Sequence, residues 1–146
     1  MIKSFRGRLD HGTSTQLRLS TNKGLIGYKI KKFECITQEP GGHNVEHVTK
    51  LFTVKIDEVT TPTAVVNFDN PLLLGVNYYR DGTSTERNTD ETIIFDHTVF
   101  NQDIYVAHSE NAGSNKAINF YLELEQIRLD IGEATVATLK DMRGRE

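Results

Sequence analysis

Between residues 116 and 130 apolar and polar side chains change places at almost every step. Ile118, Phe120, Leu122 and Leu124 alternate with Asn119, Tyr121, Glu123 and Glu125. Strand side chains point to opposite faces with a period of two, so this run predicts a strand with one face in a core and the other in water. It is the longest clean alternation in the chain. Past Glu125 the apolar residues move to the other parity, at Ile127 and Leu129, which predicts a bulge near Gln126. The period then changes. Asp130 and Glu133 have the spacing of a capping box, and Ala134, Ala137, Leu139 and Met142 form a short apolar stripe. Lys140, Arg143 and Arg145 follow where a helix dipole favours cations, with Gly144 as the stop. A helix of about three turns is marginal alone in water. It must pack on its own body, the simpler expectation, or on a neighbouring subunit.

The remaining chain reads as strands separated by turn residues. Residues 2–9 and 16–20 predict a hairpin across the turn cluster at 10–15, where Gly12 can supply a positive φ. After a turn at Asn22-Lys23-Gly24, residues 25–37 carry Ile26, Tyr28 and Ile30 on one parity and Phe33 and Cys35 on the other. Lys31-Lys32 therefore marks a bulge or a sheet edge. Residues 38–44, with Pro40 and two glycines, predict a loop. In 48–56 strand alternation is preferred over helical spacing because Thr, Val and Phe suit a pleated surface. Shorter strands follow at 64–68, 72–79, 92–96 and 104–108. Residues 80–90 contain no apolar side chain and predict a long loop. Gly-Thr-Ser-Thr occurs at 12–15 and 82–85, a recurrence of common turn residues rather than a duplicated half.

About nine or ten strands at this spacing predict an all-β fold. The expected architecture is a single β-sandwich over residues 1–130, jelly-roll-like before immunoglobulin-like, with a C-terminal helix or arm over 131–146.

Composition narrows the function. A chain of 146 residues fits one domain, and its 37% hydrophobic content without tryptophan predicts a modest core. Cys35 is the one cysteine, which excludes an internal disulfide and reads as a small core residue. No apolar run approaches the roughly 18 residues of a membrane span, and residues 1–8 lack the apolar middle of a secretory signal. A protein made in a cytoplasm, with no membrane partner, is the expectation. Residues 1–50 carry a balance of +5 and residues 51–146 one of −8. Such regions can pair within one fold or head to tail between copies, as in a homo-oligomer.

Motifs for chemistry are sparse. Residues 43–47 match H-x-x-E-H, in which two histidines on successive helical turns bind zinc. Here the match follows Pro-Gly-Gly and enters a strand, so a surface loop with two histidines is expected. His97 and His108 lie near turns and are expected to be solvated or locally bonded. No cofactor, metal site or catalytic residue is expected. Lys29, Lys31 and Lys32 read as protection of a sheet edge or as a dock for an acidic protein surface. Nucleic acid is not expected, because the net charge is −3 and aromatic interleaving is thin. Tyr78 and Tyr79 are the candidate sugar-stacking platform of a lectin-like alternative.

The segment from Asp103 to Glu146, with IYVAHSE, INFYLELEQIRLD and ATVATLKDMRG, resembles the end of small all-β virion structural proteins of tailed bacteriophages. The resemblance implies a non-enzymatic capsid cement or decoration protein that binds the major capsid protein or neighbouring virion subunits. A tail or head–tail adaptor component is the nearest alternative, and the implied location is the virion, after synthesis in the host cytoplasm. The candidate assembly interface comprises Lys29, Lys31, Lys32, Leu139, Met142, Arg143 and Arg145.

Overall fold

The computed structural model describes residues 1–21, 24–41, 43–82, 88–95 and 98–143, the last four by backbone alone. The fold is mostly β. The described strands are β1 (Ile2–Leu9), β2 (Ser14–Leu17), β3 (Ile26–Thr37), β4 (Val45–Phe52), β5 (Leu73–Asp81), β6 (Thr89–Ile94), β7 (Ile104–Glu110) and β8 (Ile118–Arg128). A single helical turn, α1 (Asp57–Thr60), and a C-terminal helix, α2 (Ile131–Arg143), complete them. The strands form a three-stranded sheet of order β1-β8-β3 and a five-stranded sheet of order β2-β7-β4-β5-β6, antiparallel throughout.

The strand expected from the long alternation is β8, the middle of the three-stranded sheet. Ile118, Phe120, Leu122 and Leu124 are buried. They join Ile30, Phe33 and Cys35 of β3 with Leu51, Leu74, Ile104 and Val106 of the other sheet in one core cluster. The two sheets therefore share their inner faces. Thr92 of β6 adds a link, its hydroxyl donating to the Phe33 carbonyl at 3.0 Å.

The bulge expected at Lys31-Lys32 is present: Ile30 pairs with Leu124 and Lys32 with Glu123, so Lys31 is the extra residue. The bulge expected near Gln126 is absent, since pairing runs unbroken from Lys29–Glu125 to Ile26–Arg128. The apolar parity switches there because the cover switches. Ile127 and Leu129 pack against Leu25, Val99, Ala134 and Ala137, so α2 and its neighbours bury a face of β8 that is open further along.

Four other expectations need correction. The hairpin expected from residues 2–9 and 16–20 does not form, since β1 pairs with β8 and β2 with β7 in the other sheet. Residues 64–68 are irregular rather than a strand. Side chains there bond to the backbone locally: Thr63 Oγ1 accepts from Val65 N, Asn67 Oδ1 from Asp69 N and Asn70 Oδ1 from Leu72 N. Such bonds compete with a ladder. The strand expected over 48–56 ends at Phe52 and gives way to α1, which covers the outer face of the five-stranded sheet through Val59. The expected loop over 80–90 is shorter, because Arg80 pairs with Thr89 and Tyr79 with Asp90; its centre, 83–87, lies outside the described residues, as do most of the second Gly-Thr-Ser-Thr and His97.

Basic and acidic stretches do pair within the fold. Lys29 and Lys31 reach Glu125, and Lys50 reaches Glu58.

Candidate functional site

The outer face of the three-stranded sheet is where the sequence placed its candidate lysines. Register sets out its rows: Arg8, Asn119 and Ile36; Arg6, Tyr121 and Glu34; Ser4, Glu123 and Lys32; Ile2, Glu125 and Lys29. Lys29, Lys31 and Lys32 are thus together on β3, an edge strand. Lys29 Nζ lies 3.6 Å and Lys31 Nζ 3.3 Å from Glu125, and Lys32 Nζ 3.6 Å from Glu34. The hydrogen bond from Lys31, then the charge of Lys29, holds the Glu125 carboxyl below its ordinary range. Exposed pairs of this kind contribute little to stability, because solvent screens them. The bulge and three lysines blunt the β3 edge.

Among the described residues, the opposite end of this face shows no ion pair. A shallow depression of about 490 Å³ is lined by Arg6, Arg8, Glu34, Ile36, Asn119 and Tyr121. Between the two arginines, Gly7 faces the core, where a Cβ would stand 2.9 Å from the Phe120 ring. Arg6 and Arg8 escaped the sequence reading. Their shared parity on β1, opposite the apolar Phe5 and Leu9, was the available signal.

α2 starts at the expected capping box: Asp130 Oδ1 accepts from Glu133 N at 2.7 Å, and Glu133 Oε1 from Asp130 N at 3.4 Å. Ala134 and Ala137 are buried against the body. Fully buried Asn101 locks the contact: its Nδ2, with two hydrogens to share, lies 2.8 Å from Thr138 Oγ1, 3.1 Å from Gly24 O and 3.3 Å from Ala134 O. Leu139 departs from the expected stripe. It is 53% exposed, because five residues past Ala134 the helix has turned well beyond the buried face. With Ile131, which is 78% exposed, it lines a groove of about 540 Å³ alongside Leu25, Thr135 and Thr138. The side chains of Met142 and Arg143, and all of Arg145 and Gly144, lie outside the described residues.

Between the sheets, at the end away from α2, the interior turns polar. Thr37, His47 and His108 are fully buried, which corrects the expectation of solvated histidines. His108 Nδ1 lies 3.1 Å from the Asp10 carbonyl, His108 Nε2 lies 2.7 Å from His47 Nδ1, and His47 Nε2 lies 2.9 Å from Thr37 Oγ1. A carbonyl only accepts, so His108 Nδ1 carries a proton; burial disfavours the charged ring, which leaves its Nε2 without one. His47 Nδ1 then donates, and His47 Nε2 accepts from the Thr37 hydroxyl. Both rings are neutral, one tautomer each. Burial, then the charge of His108, lowers the His47 pKa from 6.5 to about 4, and burial lowers that of His108 as well.

Glu110 closes this end. Burial alone would raise its pKa, but the amides of Glu46, Ala112 and Asn115 at 3.1, 2.8 and 3.0 Å outweigh that and hold it down. The Glu110 amide in turn donates to His11 Nδ1 at 2.9 Å. Every polar group named is occupied in holding the β1–β2 turn and residues 111–115 to the sheet end.

The motif at 43–47 is dispersed. His43 pairs with Glu39 in a loop, His47 points inward, and Glu46 points outward to accept from the Tyr78 hydroxyl at 2.9 Å. Tyr78 and Tyr79 fall on opposite faces of β5, with the Tyr79 ring 6.0 Å from that of His47, so they form no joint platform. Cys35 is buried and its thiol pKa is pushed far up by that burial, so it stays protonated. Neither the protein-family models nor the curated proteins compared with this chain contain a match to it.

Proposed function

We propose that this chain is a non-enzymatic virion structural protein of a tailed bacteriophage, a cement or decoration protein that binds the outer capsid lattice. A tail or head–tail adaptor component is the neighbouring reading. The supporting observation is the strand order. With β1-β8-β3 in one sheet and β2-β7-β4-β5 in the other, chain order follows the nested pairing of a jelly-roll sandwich, and β6 extends the second sheet while its Thr92 reaches back to β3. That order favours a jelly-roll-like sandwich over an immunoglobulin-like one. Jelly rolls serve as capsid and lectin domains.

The buried histidines and Glu110 fit a structural role, since their bonding capacity is used in joining loops to the body. The lectin-like reading loses its platform with Tyr78 and Tyr79 on opposite faces. An open sheet face and an exposed helix ridge suit a protein that works by many weak contacts repeated over a lattice or among its own copies.

The test is the mass composition of density-purified particles from the source. A copy number near that of the major capsid protein, or a simple fraction of it, supports cement or decoration. A handful of copies moves the protein to the tail, and its absence from particles overturns the reading.

A further inference from the structure

β1 and β3 bound the same sheet, yet only β3 is finished as an edge. β3 is bulged at Lys31, and its lysines meet Glu125 and Glu34. β1 keeps one register with β8 from Ile2 to Leu9, contains no proline, and pairs with no described strand on its other side. Unpaired backbone of that length and regularity is a template for another strand. Arg6 and Arg8 stand on its outward face, opposite Tyr121 and Asn119. Among the described residues no carboxylate lies within ion-pair distance of either guanidinium; Arg8 reaches only the Gln38 side-chain oxygen, at 3.5 Å.

We propose that the free edge of β1 takes up an extended acidic segment of a partner protein, as a fourth strand whose alternate residues carry carboxylates. Residues i and i+2 of a strand lie roughly 6.5–7 Å apart on one face. Arg6 and Arg8 share that relation, so carboxylates two residues apart on an added strand meet both guanidinium groups at once. A dense polyanion fits less well, because Glu34 and Glu123 stand on the same face. A second copy joined β1 to β1 would set Lys3, Arg6 and Arg8 against their own kind, with no acid in the strand to offset them. The inference holds whether or not the partner belongs to a virion.

The test uses the full chain and a labelled peptide, Thr-Val-Glu-Val-Glu-Val-Glu-Val-Thr, against an isomer with its glutamates contiguous, read by fluorescence anisotropy. The alternating peptide should bind at least about tenfold more tightly than the isomer. It should also slow amide exchange along β1. Combined Arg6→Glu and Arg8→Glu should weaken it more than about tenfold, whereas Arg18→Glu, a charge control outside β1, should leave affinity unchanged. Equal affinity for both peptides, no binding at all, or binding indifferent to the double substitution overturns the proposal. So does polyglucuronate binding as tightly as the peptide, which assigns the arginines to an anionic glycan. Self-association that protects β1 amides without peptide also overturns it, by making a second copy the occupant. The peptide comparison and amide exchange need no variant, so a misfolded double variant leaves the proposal falsifiable.

Discussion

The two sheets treat their outer faces in opposite ways. The five-stranded sheet buries Phe52, Leu73 and Ala107 on its outer side beneath Val59, with Ile56, Leu72, Phe95 and Tyr105 around them. Even a lysine is drawn under this cover: Lys50 is 1% exposed, with Nζ 2.7 Å from the Val65 carbonyl and 3.7 Å from Glu58. Over most of its length, the three-stranded sheet presents rows of Arg, Lys, Glu and Tyr with no described element across them. One outer face thus contributes to stability, and the other is left for contact. The apolar exposures divide accordingly, since Ile36 and Tyr121 are isolated among charges whereas Val65, Val66 and Phe68 lie on the cover itself.

The sharpest test sets one face against the other. Phe52→Ala empties a fully buried site under the cover and should cost about 3–5 kcal/mol. Tyr121→Ala on the open face should cost less than about 0.5 kcal/mol. Urea melts of the two variants measure both, and similar losses would break the comparison.

Acid attacks the inner side of the five-stranded sheet, where His47 and His108 sit. Their folded pKa values lie below the unfolded one, so between about pH 6.5 and 4 the unfolded chain binds protons that the folded chain does not, and stability falls as pH falls. For His47, from 6.5 to about 4, the loss is about 3 kcal/mol in all. The carboxyls of Asp103, Glu110, Glu125 and Asp130, also lowered, withdraw their share only as pH drops below their unfolded values near 4. Urea midpoints that decline already between pH 6.5 and 5 identify the histidine pair; a flat midpoint until pH 4.5 rejects it.

Lys50→Met tests the cover with a smaller change. It keeps the apolar stem but removes the charged hydrogen bond to the Val65 carbonyl, for an expected loss of about 1–3 kcal/mol. Limited proteolysis should cut faster within residues 53–72, and unchanged cutting would mean that the cover holds without the lysine.

The same contrast explains what was legible in the sequence. β8 has one face dry and one wet, so its alternation was plain, and the Asp130–Glu133 box and the Lys31 bulge were equally local signals. β4 is buried on both faces, so the alternation of Val48, Lys50, Phe52, Val54 and Ile56 marked the face under the cover and hid that His47, Thr49 and Leu51 line the interior. His47 and His108 looked like surface or locally bonded residues because their partners come from 10 and 61 residues away. The irregular cover over 64–68 resembled a strand because Val65, Val66 and Phe68 have strand composition, but no neighbour offers that segment a ladder. Arg6 and Arg8 carried no motif; their interest comes from a register and a free edge that only the sheet order supplies.

The smallest expected effect joins the two ends of the open face. Glu125→Gln removes the carboxylate shared by Lys29 and Lys31, yet all three groups are solvated, so the urea midpoint should stay close to that of the parent. The electrostatic consequence is larger than the energetic one. Two ammonium groups lose their counter-charge on a face that already carries Arg6 and Arg8, and the face gains one positive charge overall. An acidic strand at β1 should then bind faster, by severalfold at low ionic strength, and the gain should shrink as salt shortens the screening length to about 8 Å at 0.15 M. Anisotropy kinetics with the alternating peptide at two salt concentrations read this directly. A variant that melts like the parent and captures the peptide faster only at low salt would show the open face acting as one electrostatic surface. Unchanged capture at low salt would confine recognition to the β1 edge and leave the β3 lysines as edge protection alone.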